Sequence, residues 1–238
     1  MSKDVAKGAA ANAAVGLVED GMTVGLGTGS TAAMFLDALA EQVKRHKLRE
    51  VTCVATSELV AARAIAMGLK IVDLKNQIDL AVDGADEVAL PNLRLIKGLG
   101  GALVREKIVA QAARRFVIIV DSEKLVDRLG IHAPLPVEII SFGAEWTYRR
   151  ILALGVEARF RSGPEGEKVI SDNGNPIVDC YIGPEHDAAE MGGRIRAMTG
   201  VIETGYFDTA VEQVFVGDDN GNVRQLVAVA KKDGVRGC

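Results

Sequence analysis

Along the first half of the chain, short apolar runs that stop at polar or glycine-rich turns alternate with amphipathic stretches. Val5, Ala9, Ala13, Gly16 and Leu17 recur at helical spacing and predict a helix over about residues 3–19, stopped at Gly21. Residues 22–26 read as a strand, followed by the turn Gly27-Thr28-Gly29-Ser30-Thr31 and a helix carrying Ala33, Leu36, Ala40 and Val43 on one side. Residues 51–55 repeat the pattern, with Thr56-Ser57 as the cap of a helix that ends at Gly68. A third run, 78–82, halts at Asp83-Gly84, and a fourth, 116–120, at Asp121-Ser122-Glu123-Lys124. Such short unbroken runs suit parallel strands buried on both faces. Between the last two, Val104, Ile108 and Ala112 predict a helix lying on the sheet. Glu106 stands two residues out of phase with them, so its carboxylate is expected to point away from the packing face. Its neighbours one helical turn away, Leu103, Val109, Ala102 and Ala110, offer it no ion-pair partner.

The texture changes after Ala133-Pro134-Leu135-Pro136. A strand (135–140), a helix (143–154), a strand (156–160), a strand pair around Asp172-Asn173-Gly174, a helix (185–198) and a strand (201–207) follow in the order β-α-β-β-α-β. Runs at 210–216 and 224–230 flank Asp218-Asp219-Asn220-Gly221 as a hairpin that returns to the first sheet. Residues 231–238 have no apolar pattern and are expected to fray. The expected fold class is therefore α/β: a Rossmann-like, largely parallel sheet flanked by helices, with a smaller α+β ferredoxin-like (βαββαβ) domain inserted. The expected boundaries are 1–130 with 205–238 for the larger domain and 131–204 for the smaller. The parallel arrangement places the polar strand ends along one edge, where open α/β sheets bind ligands.

Composition narrows the function classes. The 238 residues are 48% hydrophobic, 25% charged and only 4% aromatic, which suits an aliphatic-packed globular protein. No apolar stretch reaches the roughly 20 residues of a membrane span, and the amino terminus has no secretory pattern, so a cytoplasmic location with no membrane partner is expected. A net charge of −4 argues against a nucleic-acid partner, which requires a basic face. Cys53, Cys180 and Cys238 lack the spacing of a disulfide framework or zinc site, and His46, His132 and His186 are scattered.

The chemistry concentrates at residues 83–107, where Asp83, Asp86, Glu87, Lys97 and Glu106 surround a glycine-rich bend. Clustered carboxylates beside a lysine suit acid/base work on a held ligand. The Gly27–Thr31 turn lacks the third glycine of a dinucleotide fingerprint and the Gly-Lys-Ser/Thr of a P-loop. Two readings remain equal for it: a cradle of amides and hydroxyls for a phosphate monoester, or an ordinary turn capped by Ser30 or Thr31. Asp83 and Asp86 also fit a magnesium pair. Lys97, a competing cation, and the lack of a third acidic strand end weigh against it, and no metal is expected.

These motifs, with Pro134-Leu135-Pro136-Val137-Glu138 and Asp172-Asn173-Gly174-Asn175, closely resemble those of the type A ribose-5-phosphate isomerases, in order and over nearly the whole chain. The resemblance implies a cofactor-free aldose-ketose isomerase of the pentose phosphate pathway that takes a small sugar phosphate, and a homodimer. It makes Glu106 the base that carries a proton between C2 and C1, Asp83 the acid associated with ring opening, and Asp86 and Lys97 the groups holding the open sugar's oxygens. It assigns Lys7, Thr28, Gly29, Ser30, Thr31, Gly84, Ala85, Gly98, Leu99, Gly100 and Lys124 to substrate or phosphate contacts. Leu99 stands where the family often has glycine and Val104 where it often has threonine, so loop geometry is the point of departure. Two alternatives accompany this reading: a sugar-phosphate-binding sensor module, for which the roughly 20 residues before the first strand leave no room for a DNA-binding domain, and an amino-sugar phosphate isomerase/deaminase of related architecture.

Overall fold

The computed structural model describes residues 2–90 and 92–227. Its main sheet has seven strands: β1 (Thr23–Leu26), β2 (Thr52–Ala55), β3 (Lys70–Ile71), β4 (Ile78–Asp83), β7 (Ala113–Asp121), β14 (Gln213–Gly217) and β15 (Val223–Val227). They run in the order β15-β14-β7-β4-β1-β2-β3, all parallel except the β14/β15 hairpin. From β1 the chain builds outward to β2 and β3 on one side. From β4 it builds to β7 and β14 on the other. The strand order thus reverses between β1 and β4, where a crevice opens at the carboxyl ends.

Alternation along the strands divides the core between the two faces. Val117 and Ile119 of β7 join α1 (Ser2–Val15), α2 (Ser30–Lys44) and α3 (Glu58–Ala66) on one side. Phe116, Ile118 and Val120 join α4 (Leu103–Ala112) and a small sheet on the other. The first helix ends at Val15, four residues before its expected end. Gly16 breaks it, and the amides of Leu17 and Val18 turn back to Ala14 and Val15 in tight three-residue steps. The third helix starts as expected, with the Ser57 side chain accepting from the Val60 amide.

The second sheet is four-stranded and antiparallel. It comprises β9 (Leu135–Ile139), β10 (Glu157–Phe160), β11 (Ile177–Tyr181) and β12 (Val201–Thr204), in the order β10-β11-β9-β12, with α5 (Ala144–Leu152) and α6 (Ala188–Arg196) as its crossovers. That is the split-βαβ arrangement read from the sequence. Of the strand pair expected around Asp172-Asn173-Gly174, the second member is β11, while the segment before it forms only isolated bridges, Ser162 with Lys168 and Ile170 with Pro176.

A third sheet, which the apolar pattern did not reveal, joins the other two. It holds β5 (Glu87–Ala89), β6 (Arg94–Ile96), β8 (Leu125–Val126) and β13 (Tyr206–Phe207), in the order β13-β6-β5-β8. The single strand expected over 201–207 is therefore two. Gly205 marks the break: its amide donates to Pro136 O at 2.6 Å, its carbonyl accepts from the Lys97 amide at 2.9 Å, and a Cβ there would lie 2.2 Å from Lys97 O. Only glycine allows these two backbones to approach so closely. The hairpin returns to the main sheet as expected, while residues 228–230 and the tail 231–238 lie outside the described residues.

Candidate active site

At the crevice between β1 and β4, a cavity of about 110 Å³ is lined by thirteen residues from five chain-distant segments: Lys7; Thr28 to Thr31; Gly84, Ala85 and Asp86; Lys97, Gly98, Gly100 and Glu106; and Lys124. Every one of them is among the residues singled out by the motifs or by the family resemblance. The two remaining predicted residues stand just behind the wall. Asp83 is buried at the end of β4, and Leu99 offers its backbone rather than its half-exposed side chain.

Lys97 organises the chemical end. Its Nζ donates to Asp83 Oδ2 at 2.8 Å and to Gly84 O at 2.6 Å, and lies 3.4 Å from Glu106 Oε2. All three side chains are almost wholly out of solvent. Asp83 is held further by the Gly84 amide, 2.7 Å from its Oδ1, and by Gly27, where a Cβ would fall 2.1 Å from that same oxygen. Two buried carboxylates thus share one ammonium. Burial raises the Asp83 pKa against the pull of Lys97. Burial also opposes the charge on Lys97, but Asp83 and Glu106 outweigh it and raise the Lys97 pKa. With Asp83 and Lys97 paired, Glu106 is the surplus acid: burial, then repulsion from Asp83 and Asp86, pushes its pKa up to about 8 against the attraction of Lys97. Its Oε2 is buried with no hydrogen-bond partner among the described residues. A carboxyl group with a pKa near neutrality and an oxygen free of hydrogen-bond partners is equipped to take a proton and return it.

The expected orientation of Glu106 is corrected here. Ile108 is half exposed, and the buried side of α4 carries Leu103, Glu106, Lys107, Val109 and Ala110, so Glu106 points inward. The helix packs against β4 and β7 of one sheet and β9 and β12 of another, so a single apolar stripe cannot describe its buried surface. Its ion-pair partner comes from a segment beyond the helical neighbours.

The opposite end suits an anion. Helix α2 begins after Gly29 (φ +126°) with no side-chain cap, which sets aside the reading of a turn capped by Ser30 or Thr31. Its first amides and positive dipole end face the same space as the ammonium groups of Lys7 and Lys124. Lys7 Nζ donates to Ser30 Oγ at 3.0 Å. Thr28 is fixed from behind by Thr56 and Ser57, with oxygens 2.7 and 3.0 Å away. Between the two ends, Asp86 Oδ2 accepts from the Leu99 amide at 2.9 Å, and burial raises its pKa against that bond.

Several residues that the sequence groups with the site's motifs hold structure outside the cavity instead. Glu87, fully buried, accepts from the amides of Gly130, His132 and Ala133 and so fixes the entry to β9. Glu138 accepts from Asn173 and Asn175, which gives the Pro134–Glu138 and Asp172–Asn175 motifs a shared structural purpose. No group of three or more metal-ligating side chains occurs among the described residues, and no helix there is long and apolar enough to cross a membrane.

Comparison with known proteins finds relatives along nearly the whole chain. Residues 52–221 match the family model of ribose 5-phosphate isomerase A (phosphoriboisomerase A). Ribose-5-phosphate isomerase A of Gloeobacter violaceus is 50% identical, covering 93% of this chain and 96% of that protein. The ribose 5-phosphate isomerase A structure from Methanocaldococcus jannaschii superposes with a TM-score of 0.87 at 41% identity, covering 94% of this chain and 98% of the other. A D-ribose-5-phosphate isomerase in complex with phospho-erythronic acid gives 0.89 at 38% identity, covering 95% and 100%. With a family match over 170 of 238 residues and relatives this similar along nearly their full length, the chain belongs to the ribose 5-phosphate isomerase A family.

Proposed function

We propose that the protein interconverts D-ribose 5-phosphate and D-ribulose 5-phosphate by proton transfer through an enediolate. The observation that carries this reading is the pairing, in one cavity, of a buried carboxyl group poised near neutral pH with a cationic, amide-lined anion site. The phosphate occupies the α2 end, between Lys7 and Lys124. The open sugar then extends toward Glu106, which removes the C2 proton and delivers it to C1. Lys97 stabilises the charge that develops on the sugar oxygens, and Asp86 orients a hydroxyl. Asp83 acts chiefly by keeping Lys97 charged and aimed; opening the sugar ring, the role implied by resemblance, requires its carboxylate to reach past that ammonium. The carboxylate-bearing sugar phosphate bound to a relative supports the reading, because a planar carboxylate imitates an enediolate.

Residues 131–204 serve as the small domain, and a second copy of the chain is the proposed partner. The support on this molecule is an apolar face where Phe142 and Trp146 are 90% and 67% exposed. Sedimentation velocity tests that assembly. For the activity, incubation with ribose 5-phosphate in deuterated water should yield ribulose 5-phosphate, with label at C1 to the extent that the proton on Glu106 exchanges with solvent during its transfer. Binding without conversion would refute the isomerase and favour a sensor.

A further inference from the structure

One side chain from the small domain grips two consecutive carbonyls of the active-site loop. Arg161, just beyond β10, donates from Nη1 to Gly98 O at 2.8 Å and to Leu99 O at 3.0 Å. Its Nε and Nη2 are held by Asp179 of β11, with Nε 2.9 Å from Oδ2. The fork is largely shielded, with the two side chains 11% and 14% exposed, so it is more than a solvated surface pair. Arg161 itself is not on the cavity wall.

The consequence follows from peptide geometry. In a trans peptide the N–H points opposite to the C=O. Drawing the carbonyls of Gly98 and Leu99 toward the small domain therefore turns the amides of Leu99 and Gly100 the other way. The Leu99 amide meets Asp86 Oδ2 at 2.9 Å. Gly100 lies on the cavity wall, and its amide has no partner among the described residues. Gly98 makes the turn possible at φ +105°, where a Cβ would lie 2.6 Å from the Leu103 Cβ.

We propose that Arg161 is a positioning residue for the reaction: by holding the Gly98 and Leu99 carbonyls it aims one amide at Asp86 and offers the next to an oxygen of the bound sugar, without touching substrate. This rests on the isomerase reading. It also gives the small domain a part in catalysis, since Arg161 and Asp179 both belong to it.

The test combines kinetics with amide hydrogen exchange on the full-length protein. In Arg161→Gln, the Leu99 amide, which the Asp86 carboxylate protects, should exchange at least about tenfold faster, while kcat/KM for ribose 5-phosphate falls about ten- to a hundredfold, with far-UV circular dichroism unchanged. In an Asp86→Ala background, which removes the acceptor of the Leu99 amide, the same substitution should cost at least about threefold less, because its main route to the reaction is already cut. If Arg161→Gln does not fold, Asp179→Asn, which loosens the fork but leaves Arg161 in place, must still speed exchange at Leu99. Unchanged exchange, additive costs in the double variant, or kcat/KM within about twofold of wild type would each overturn the proposal. Failure of the wild-type protein to convert ribose 5-phosphate would instead refute the isomerase reading, and the exchange measurement would still report whether Arg161 holds the loop.

Discussion

Replacing Glu106 with Gln should stabilise the protein at alkaline pH while removing most of its turnover. In the folded protein the Glu106 pKa lies at about 8, against 4.5 for the free side chain. At about 1.4 kcal/mol per pH unit, ionising it in place costs the fold up to about 5 kcal/mol. The sign follows from proton counting. Between pH 4.5 and 8 the folded state keeps a proton that the unfolded chain has released, so this group's contribution to stability is full below pH 4.5 and drains away as pH rises to 8. Glutamine has the shape of the protonated acid and no proton to lose. Wild type and variant should therefore be nearly equal at pH 4.5, diverge through neutrality, and differ by several kcal/mol at pH 9. With a urea slope of about 2–3 kcal/mol/M, that ceiling corresponds to a midpoint shift of about 2 M. In the same preparation kcat should fall about 10²–10⁴-fold, the usual worth of a general base. The wild-type kcat/KM should rise with pH toward a plateau above about 8, because the free enzyme must hold Glu106 ionised to accept the C2 proton. Equal urea midpoints at pH 4.5 and pH 9 would refute the claim that Glu106 is a buried surplus acid. Turnover within about tenfold of wild type would refute its role as the base.

Truncating Lys7 or Lys124 to Ala should raise KM by about 10–100-fold with a smaller change in kcat, because each supplies a charged contact to a part of the substrate that does not react; steady-state kinetics with an unchanged KM in both variants would remove them from the phosphate site. Gly27→Ala would drive a Cβ to 2.1 Å from Asp83 Oδ1 and 2.6 Å from its Cα. That overpacking should cost about 1–3 kcal/mol in urea unfolding and lower kcat as Asp83 and Lys97 shift; a variant with wild-type stability and rate would show that the crowding is absent. Glu87→Ala leaves three amides at the entry to β9 without their carboxylate acceptor. It should destabilise by about 3 kcal/mol or more, and a midpoint unchanged from wild type would show that water satisfies those amides.

Much of this molecule is legible along the chain because its signals are local. The four main buried strands each announce themselves as an apolar run stopped at the sheet edge by glycine, a hydroxyl or a carboxylate, and parallel topology then brings Thr28, Asp83 and Lys124 to one edge. The strand and helix order over residues 135–204 is sufficient for the antiparallel arrangement of the second sheet. Strands β5, β6, β8 and β13, two or three residues each, are too short to show a period and exist only because the two larger sheets must be joined. The inward turn of Glu106 was unreadable for a related reason: helix α4 lies between two sheets, so its buried face is chosen by β9 and β12 as much as by its own pattern. Arg161, just past a strand end, and Asp179, in the middle of another strand, look like any charged residues until folding sets the guanidinium on carbonyls more than sixty residues away in sequence. The kinds of element, their order, and the residue types gathered at the strand ends can be read along the chain, since propensity, periodicity and turn chemistry act over a few residues. That Glu106 is dry, Lys97 shared and Asp86 held by a loop that Arg161 grips emerges with packing alone, because burial and pairing are set by groups that meet only when distant segments come together.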